Sequence, residues 1–404
     1  MSKKIIVKSK IRDLIAFTKL VSLRRKKIMK ASPEKSEEDS FDKVVRTMHP
    51  KRMFLKIAEV KDQTESTKTF TLVPDIAKGT KQLATFRPGQ YLNIQFVIED
   101  IKISRNYSLS STPKDASNGL YMVTVRKKEK GFVTSHIFKT WKKGTLVESS
   151  GPMGNFVYEP LRDKQNIIAI AGGCGITPIF SLLKDSIEKQ DNRFFTILYG
   201  VKNSKDIIFK DELSEIAEKF KTKVNLNFVA SEPEEQWKGP IGFITAELIE
   251  KLSNGIQDKS FFICGPQAMY TFLDKEIEKL SIPHRLVRKE LFGEVNDPLD
   301  IPGFPLSNVD KIFTVKVHIA DEIREVQALG KETVLISLEK AGLAPPSRCR
   351  SGECGFCRSK LITGEIFVSN INDGRRIADK KFNWFHPCSS YPLSDLEIRI
   401  SRAL

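Results

Sequence analysis

Two hydrophobic rhythms divide the chain after Met53. Up to about residue 126, short β-favouring runs recur at Phe54–Val60, Lys68–Val73, Tyr91–Phe96, Ser104–Ser110 and Leu120–Arg126, with Gly, Pro, Asn and Asp between them. Short strands separated by turn residues predict a small antiparallel barrel or sandwich. From Asn166 the pattern becomes strand–helix alternation. Strands are expected at Asn166–Ala171, Phe194–Tyr199, Val224–Ala230 and Ser260–Cys264, and helices at Asp211–Phe220, Thr245–Ser253 and Gln267–Leu280. A further helix is expected after the glycines at 172–175, with Thr177 as N-cap and Pro178 at its first position. Such alternation predicts a parallel sheet covered by helices. Pro298–Asn308, rich in Pro, Gly and Asp, reads as a linker. A third unit then opens with alternating Phe313, Val315 and Val317, followed by a helix near Val334–Ala341 and a cysteine-rich loop.

The organisation expected is an N-terminal extension over 1–52, a barrel over 53–160, an α/β domain over 161–296, a linker over 297–311 and an α+β unit over 312–404. Within the extension, Ile11, Leu14, Ile15, Leu20 and Val21 fall on a helical period, and Lys30–Ser40 reads as a polar tether.

Charge separates the extension from the rest. The net charge is +16, and residues 1–52, with 16 Lys/Arg against 6 Asp/Glu, carry +10 of it. A basic leader of this kind is either a solvated arm or a contact for an acidic protein, anionic lipid or nucleic acid. No nucleic-acid role is expected, and peripheral membrane contact is the alternative to a solvated arm. No apolar window of about 18 residues is present, so no transmembrane helix is expected. No signal-peptide core opens the chain either, which makes a cytoplasmic setting the expectation.

Four of the six cysteines lie in the last 60 residues. In a reducing setting, clustered cysteines indicate metal rather than disulfides. Cys349, Cys354 and Cys357 have C-x4-C-x2-C spacing, and Cys388 follows after 30 further residues. This is the ligand pattern of a plant-type [2Fe–2S] cluster. Gly352 and Gly355 let backbone approach the sulfurs. Structural zinc is the alternative, but its ligands come as two short-spaced pairs, not as a triplet and a singleton. None of the five histidines forms a C-x-H pair with a cysteine, which argues against a Rieske centre. Residues 312–404 thus resemble the plant-type ferredoxins, a β-grasp-type α+β fold. One departure is charge: 14 Lys/Arg against 11 Asp/Glu, where free ferredoxins are typically acidic.

Upstream lie Pro88-Gly89-Gln90-Tyr91, Arg105-Asn106-Tyr107-Ser108, Gly131-Phe132-Val133-Thr134 and Gly151-Pro152-Met153-Gly154-Asn155-Phe156. Then come Ala171-Gly172-Gly173-Cys174-Gly175-Ile176-Thr177-Pro178, Cys264-Gly265-Pro266 and Glu290-Leu291-Phe292-Gly293. Each alone is ordinary: a surface pair, a turn, a strand-end cysteine. In this order they resemble the ferredoxin–NADP reductase superfamily over residues 53–293. The resemblance implies an antiparallel flavin barrel and an α/β nicotinamide domain. It implies Arg105 at the flavin diphosphate, Tyr107 against the isoalloxazine, Ser108 at flavin N5, and Gly131, Phe132, Val133 and Thr134 at a phosphate-binding helix start. It also implies Gly173, Gly175 and Thr177 at the dinucleotide turn, Cys264 with Gly265 and Pro266 near the nicotinamide, and Phe292 as an aromatic shield on the flavin. Ser108, Cys264 and Phe292 are the residues expected at the chemistry.

FAD is the expected flavin, with FMN as the alternative. A 2′-phosphate needs a basic clamp, but the third strand ends in Ala230-Ser231-Glu232, so Ser231 and Glu232 favour NADH over NADPH. Lys202 is the nearby basic residue. The expected function is transfer from NADH through FAD and the cluster to a protein acceptor, as in the reductase components of Rieske-type oxygenases and in hybrid-cluster-protein reductases. The alternatives are an electron-transfer subunit of a larger complex and a cluster-based redox sensor.

Overall fold

The computed structural model describes residues 11–30, 39–129, 131–291, 293, 298–343, 346–369 and 373–400. These fall into two compact units, one ending at Thr47 and the other spanning Met48–Leu404. The first contains helix α1 (Ile11–Met29) and most of α2 (Ser40–Met48). The polar tether expected at Lys30–Ser40 lies largely outside the described residues. Among the described residues, no helix is long and apolar enough to cross a membrane.

The second unit opens with a six-stranded antiparallel sheet. Its strands are β1 (Met53–Thr64), β2 (Thr67–Pro74), β3 (Tyr91–Ile98), β4 (Ile101–Ser108), β5 (Tyr121–Arg126) and β6 (Leu146–Ser149), in the order β4-β3-β6-β1-β2-β5. An isolated bridge between Leu109 and Val123 joins its two ends, so the sheet closes on itself. Alternate side chains of these strands, Leu55, Ile57, Phe70, Leu72, Leu92, Ile94, Val123 and Val125, fill the barrel. Two helices plug its ends. α3 (Pro113–Ser117) starts at a Thr112–Asp115 capping box, and α4 (Phe132–Thr140) starts after Gly131.

The next sheet is parallel: β7 (Asn166–Gly172), β8 (Phe194–Val201), β9 (Val224–Ala230), β10 (Lys259–Cys264) and β11 (Val287–Glu290), ordered β11-β10-β7-β8-β9. β7 is buried on both faces. Ile167, Ala169 and Ala171 pack on the side of α5 (Ile176–Lys189) and α6 (Lys210–Lys219), and Ile168 and Ile170 on the side of α7 (Ala246–Leu252) and α8 (Gln267–Lys279). Strand order reverses at β7, so a crevice opens there at the carboxyl ends of the strands, where ligands bind in such sheets. One detail differs from expectation. α5 begins at Ile176, continuous with a tight turn over Gly173–Gly175, so Thr177 lies inside its first turn rather than capping it. The Thr177 hydroxyl instead donates to the Cys174 carbonyl (2.8 Å).

The last sheet is mixed: β12 (Ile312–Ile319), β13 (Glu322–Leu329), β14 (Ser359–Thr363), β16 (Trp384–Phe385) and β18 (Leu396–Ile400), ordered β13-β12-β18-β14-β16. A small hairpin pairs β15 (Ile366–Val368) with β17 (Ser390–Pro392). α9 (Val334–Lys340) packs Val334 and Leu338 onto Val315, Val317, Phe385 and Ile398, and α10 (Ile377–Lys381) flanks β16. This is the β-grasp-type arrangement. The segment expected as a linker is packed rather than loose: Ile301 and Phe304 bury themselves against Phe367 and Tyr391.

Candidate functional site

β4 carries the flavin motif to the barrel's edge. Tyr107 packs against the barrel core and meets Phe96 edge-on, and burial pushes its phenol above the ordinary range. The Arg105 guanidinium donates to the Ser104 carbonyl (2.8 Å). Across the mouth, Gly131 caps α4, and a Cβ there would stand 2.4 Å from the Thr134 hydroxyl. Only glycine lets the helix start fold this tightly, with the 132–134 amides left for an anion. A cation, a flat ring and a hydroxyl thus follow one another at the end of β4, and a helix N-terminus opens at Gly131. That donor set fits a flavin nucleotide.

Ser108 is buried, and its hydroxyl donates to Glu290 Oε2 (3.2 Å). Glu290 ends β11 in register with Cys264 on β10. Desolvation pushes the Glu290 carboxyl well above the usual carboxylate range, opposed by the Ser108 hydrogen bond. Cys264 is likewise raised, first by burial and then by Glu290. The structure thus brings Ser108 and Cys264 together around a carboxyl group that sequence reasoning passed over. Glu290 stood within a quoted motif, but its partner is 182 residues away. Phe292, the expected shield, lies outside the described residues.

The dinucleotide turn is built on close approach. A Cβ on Gly175 would stand 1.9 Å from the Cys264 carbonyl oxygen, and one on Gly265 would strike Met269. Gly173 has φ +50°, and its carbonyl accepts from the Tyr199 hydroxyl (3.0 Å). Burial pushes the Cys174 thiol up to about 11. Arg126, at the end of β5, reaches over this turn to Asp206 (2.9 Å), a cation the motifs did not indicate. Pro266 precedes α8. At the ends of β8 and β9, Lys202 Nζ lies 3.1 Å from Glu232 Oε2, and the Ser231 hydroxyl points to the Val201 carbonyl at 3.5 Å. The one basic side chain expected near a 2′-phosphate is thus already paired with a carboxylate.

The four C-terminal cysteines gather in one loop region, three of them buried and Cys354 exposed. They contact one another: Cys357 and Cys388 sulfurs are 3.3 Å apart, the Cys354 amide donates to Cys349 Sγ (3.4 Å), and Cys349 also interacts with Cys388. Among the described residues, no three such side chains converge on a single-ion point. The spacing of the ligands along the chain, a triplet and a singleton, suits a two-iron cluster better than tetrahedral zinc. Clustered thiols cannot all ionise together. Hydrogen bonds hold Cys349 low, while Cys354 and Cys388 are pushed up by their bonds to neighbouring sulfurs. The loop is clasped from behind, where His386 Nδ1 meets the Gly352 carbonyl.

This loop also docks onto the flavin face. Asn106 Nδ2 donates to the Arg348 carbonyl (2.8 Å), next to Cys349, and the Ser104 and Ser347 hydroxyls meet at 3.3 Å. The Gly293 amide donates to the Cys349 carbonyl (3.0 Å), and the Ser351 hydroxyl to the Leu291 carbonyl (3.3 Å).

Comparison with known proteins agrees with this layout. Family models match for an oxidoreductase FAD-binding domain over residues 55–158, an oxidoreductase NAD-binding domain over 169–275, and a 2Fe-2S iron-sulfur cluster binding domain over 317–393. The chain is therefore an oxidoreductase built from FAD, NAD and [2Fe–2S] modules in that order. The order of the three modules agrees with the resemblance to ferredoxin–NADP reductases that carry a C-terminal plant-type ferredoxin domain. The glycine betaine monooxygenase reductase subunit of Chromohalobacter salexigens is 24% identical, over 85% of this chain and 94% of that protein. The ferredoxin reductase component of 3-ketosteroid-9-alpha-monooxygenase from Mycobacterium tuberculosis is 28% identical, over 84% of this chain and 93% of that one. Among solved structures, phthalate dioxygenase reductase shares the fold, with a TM-score of 0.63, 24% identity, and 87% of this chain and 98% of that one covered.

Proposed function

We propose that this chain is the reductase component of an oxygenase system, taking electrons from NADH and delivering them through its cluster to an oxygenase. The observation that carries the reading is the contact between β4 and the cysteine loop. The strand bearing Arg105, Tyr107 and Ser108 also holds, through Asn106, the carbonyl beside Cys349.

A bound flavin would supply the exchange between two-electron hydride chemistry and single-electron transfer. The chain's residues orient these groups. Arg105 and the amides of Phe132, Val133 and Thr134 hold the flavin diphosphate, and Tyr107 supports the ring. Gly173, Gly175 and Thr177 admit the dinucleotide backbone, while Ser231 and Glu232 select a ribose hydroxyl. Cys264, Gly265 and Pro266 bound the nicotinamide pocket and exclude water from it. Ser108 would lie at the hydride-accepting edge of the flavin, its hydroxyl donating to the Glu290 carboxyl (3.2 Å). Cys349, Cys354, Cys357 and Cys388 hold the cluster. The setting is cytoplasmic, where these thiols stay reduced until they take iron. The family relationship to two monooxygenase reductase components supports the choice of acceptor.

Anaerobic titration with NADH tests the reading. NADH bleaches the flavin band and then the cluster absorbance, and a rhombic EPR signal of the reduced cluster appears. Flavin bleaching with the cluster left oxidised refutes the route.

A further inference from the structure

The cluster's outer face is apolar at its centre and positive at its rim. Cys354 is the exposed cluster cysteine, and Phe356, two residues on, is 40% exposed. Arg348 lies over the Phe356 ring at 3.7 Å, and Arg358 over Trp384 at 4.2 Å. Arg358 Nε also meets Asp379 (2.6 Å), which joins the cysteine loop to α10, and Lys360 Nζ reaches the Phe382 carbonyl at the end of that helix. On α10, Arg376, Ile377 and Lys381 are exposed, as is Phe382 just beyond it.

The acids of this face do not balance its cations. Asp379 is buried beneath Arg358, and Asp373 is held by Arg375 (2.8 Å) and Lys380 (2.9 Å). Glu353 is exposed, but the charges nearest to it outside the cysteine loop, Lys289 and Asp274, belong to the nicotinamide domain. Arg376, Lys381 and Phe382 therefore present exposed cationic and apolar side chains on the segment that the Arg358–Asp379 pair and the close approach of Gly374 to Gly352 tie to the cysteine loop.

We propose that this face is the docking surface at the electron outlet, and that it fits a protein carrying an apolar patch ringed by carboxylates. The proposal rests on the reductase reading above and names the chemistry of its acceptor. Opposite charges speed encounter and set orientation, and the aromatic centre supplies the desolvated contact. At the outlet one electron leaves the reduced cluster, which returns to its oxidised form. The acceptor's metal gains that electron, and no proton moves.

The test uses the full-length holoprotein and its Arg376→Glu/Lys381→Glu variant, with an unchanged visible spectrum as the check on folding. The probes are the soluble domain of cytochrome b5, an acidic haem protein, and cytochrome c, a basic one. Binding to immobilised cytochrome b5 is measured against NaCl. In parallel, dithionite-reduced protein is mixed with ferric haem protein and reoxidation of the cluster is followed. The wild type is expected to lose about tenfold in association rate on cytochrome b5 between about 20 and 200 mM NaCl. The variant is expected to be about tenfold slower on cytochrome b5 at low salt and no slower on cytochrome c. Equal binding and reoxidation by the two proteins, or a wild-type preference for cytochrome c, would overturn the proposal. Starting from chemically reduced protein bypasses NADH and flavin. Failure of the upstream route therefore shows separately, as NADH that does not bleach the cluster.

Discussion

The cysteine loop is tied to the ferredoxin core by one buried ion pair, whose loss should release iron. Arg350 sits between Cys349 and Ser351 with φ +59°, and its side chain is 2% exposed. Its guanidinium donates through both terminal nitrogens to Glu339 on α9, at 2.6 and 2.8 Å. Glu339 is 3% exposed, so neither charge has solvent to fall back on. Glu339→Leu takes the carboxylate away from a buried guanidinium that keeps neutral company such as the Ser347 hydroxyl (3.4 Å). Breaking one side of such a pair costs about 3–5 kcal/mol, which is about 10² to 10³ or more in the opening equilibrium of the loop. Transfer of iron to a chelator in moderate urea, followed as loss of visible absorbance, samples that opening. The expected rate is at least about a hundredfold above wild type. Glu339→Leu/Arg350→Met removes both charges and should recover most of the loss, because no unpaired charge stays buried. A single variant that loses iron within about twofold of wild type refutes the reasoning, as does a double variant no better than the single.

Three further outcomes follow from the site. Glu232→Lys breaks the pair with Lys202 and leaves two cations at the ends of β8 and β9, so the NADPH/NADH ratio of kcat/KM should rise by about tenfold or more in steady-state assays. Asn106→Ala removes one half-buried hydrogen bond to the cysteine loop, worth about 1 kcal/mol; in stopped-flow traces the NADH-to-flavin phase should be unchanged and the flavin-to-cluster phase several-fold slower. Glu290 has a folded-state pKa raised by burial, so above the ordinary carboxylate range the folded chain keeps a proton that the unfolded chain gives up, and its contribution to stability falls as pH rises. The Tm of Glu290→Gln should therefore gain on wild type from about pH 5 to pH 8 in parallel melts, and a constant difference would contradict this.

What was legible in the sequence was what local pattern determines. The spacing of Cys349, Cys354 and Cys357 places three thiols on one turn-rich loop, and the glycines at 172–175 require a tight approach that the structure shows as backbone within a Cβ's reach of Cys264. Barrel strands, parallel strands and their helices follow from periods of two and of 3.6. Other features were not legible, because they join positions far apart in sequence. Glu290 was hidden because its role depends on Ser108, brought near by the packing of two domains. Arg126 reads as one more basic residue until β5 ends above Gly173. Within the expected linker, Ile301 and Phe304 pack into an aromatic pocket of the third domain, which composition alone does not reveal. Thr177 misled as a cap because the glycine turn before it already winds into the helix.

The β4–β3 strand pair explains why the third domain packs closely against the flavin barrel. On β4, alternate residues share a face, so Ser104, Asn106 and Ser108 point one way. Ser104 meets Ser347, Asn106 meets the Arg348 carbonyl, and Ser108 meets Glu290. Asn106 is itself held by Asn93 on β3 (2.7 Å), and Asn93 by Gln95 (2.7 Å). The amide that grips the cysteine loop is thus fixed by its neighbours and costs little further entropy to order. One face of one strand addresses both the carboxyl beside the nicotinamide domain and the loop of the iron ligands. The path from hydride acceptor to single-electron carrier is then set by a β-sheet, the stiffest element available, and a loose tether would surrender that control of distance.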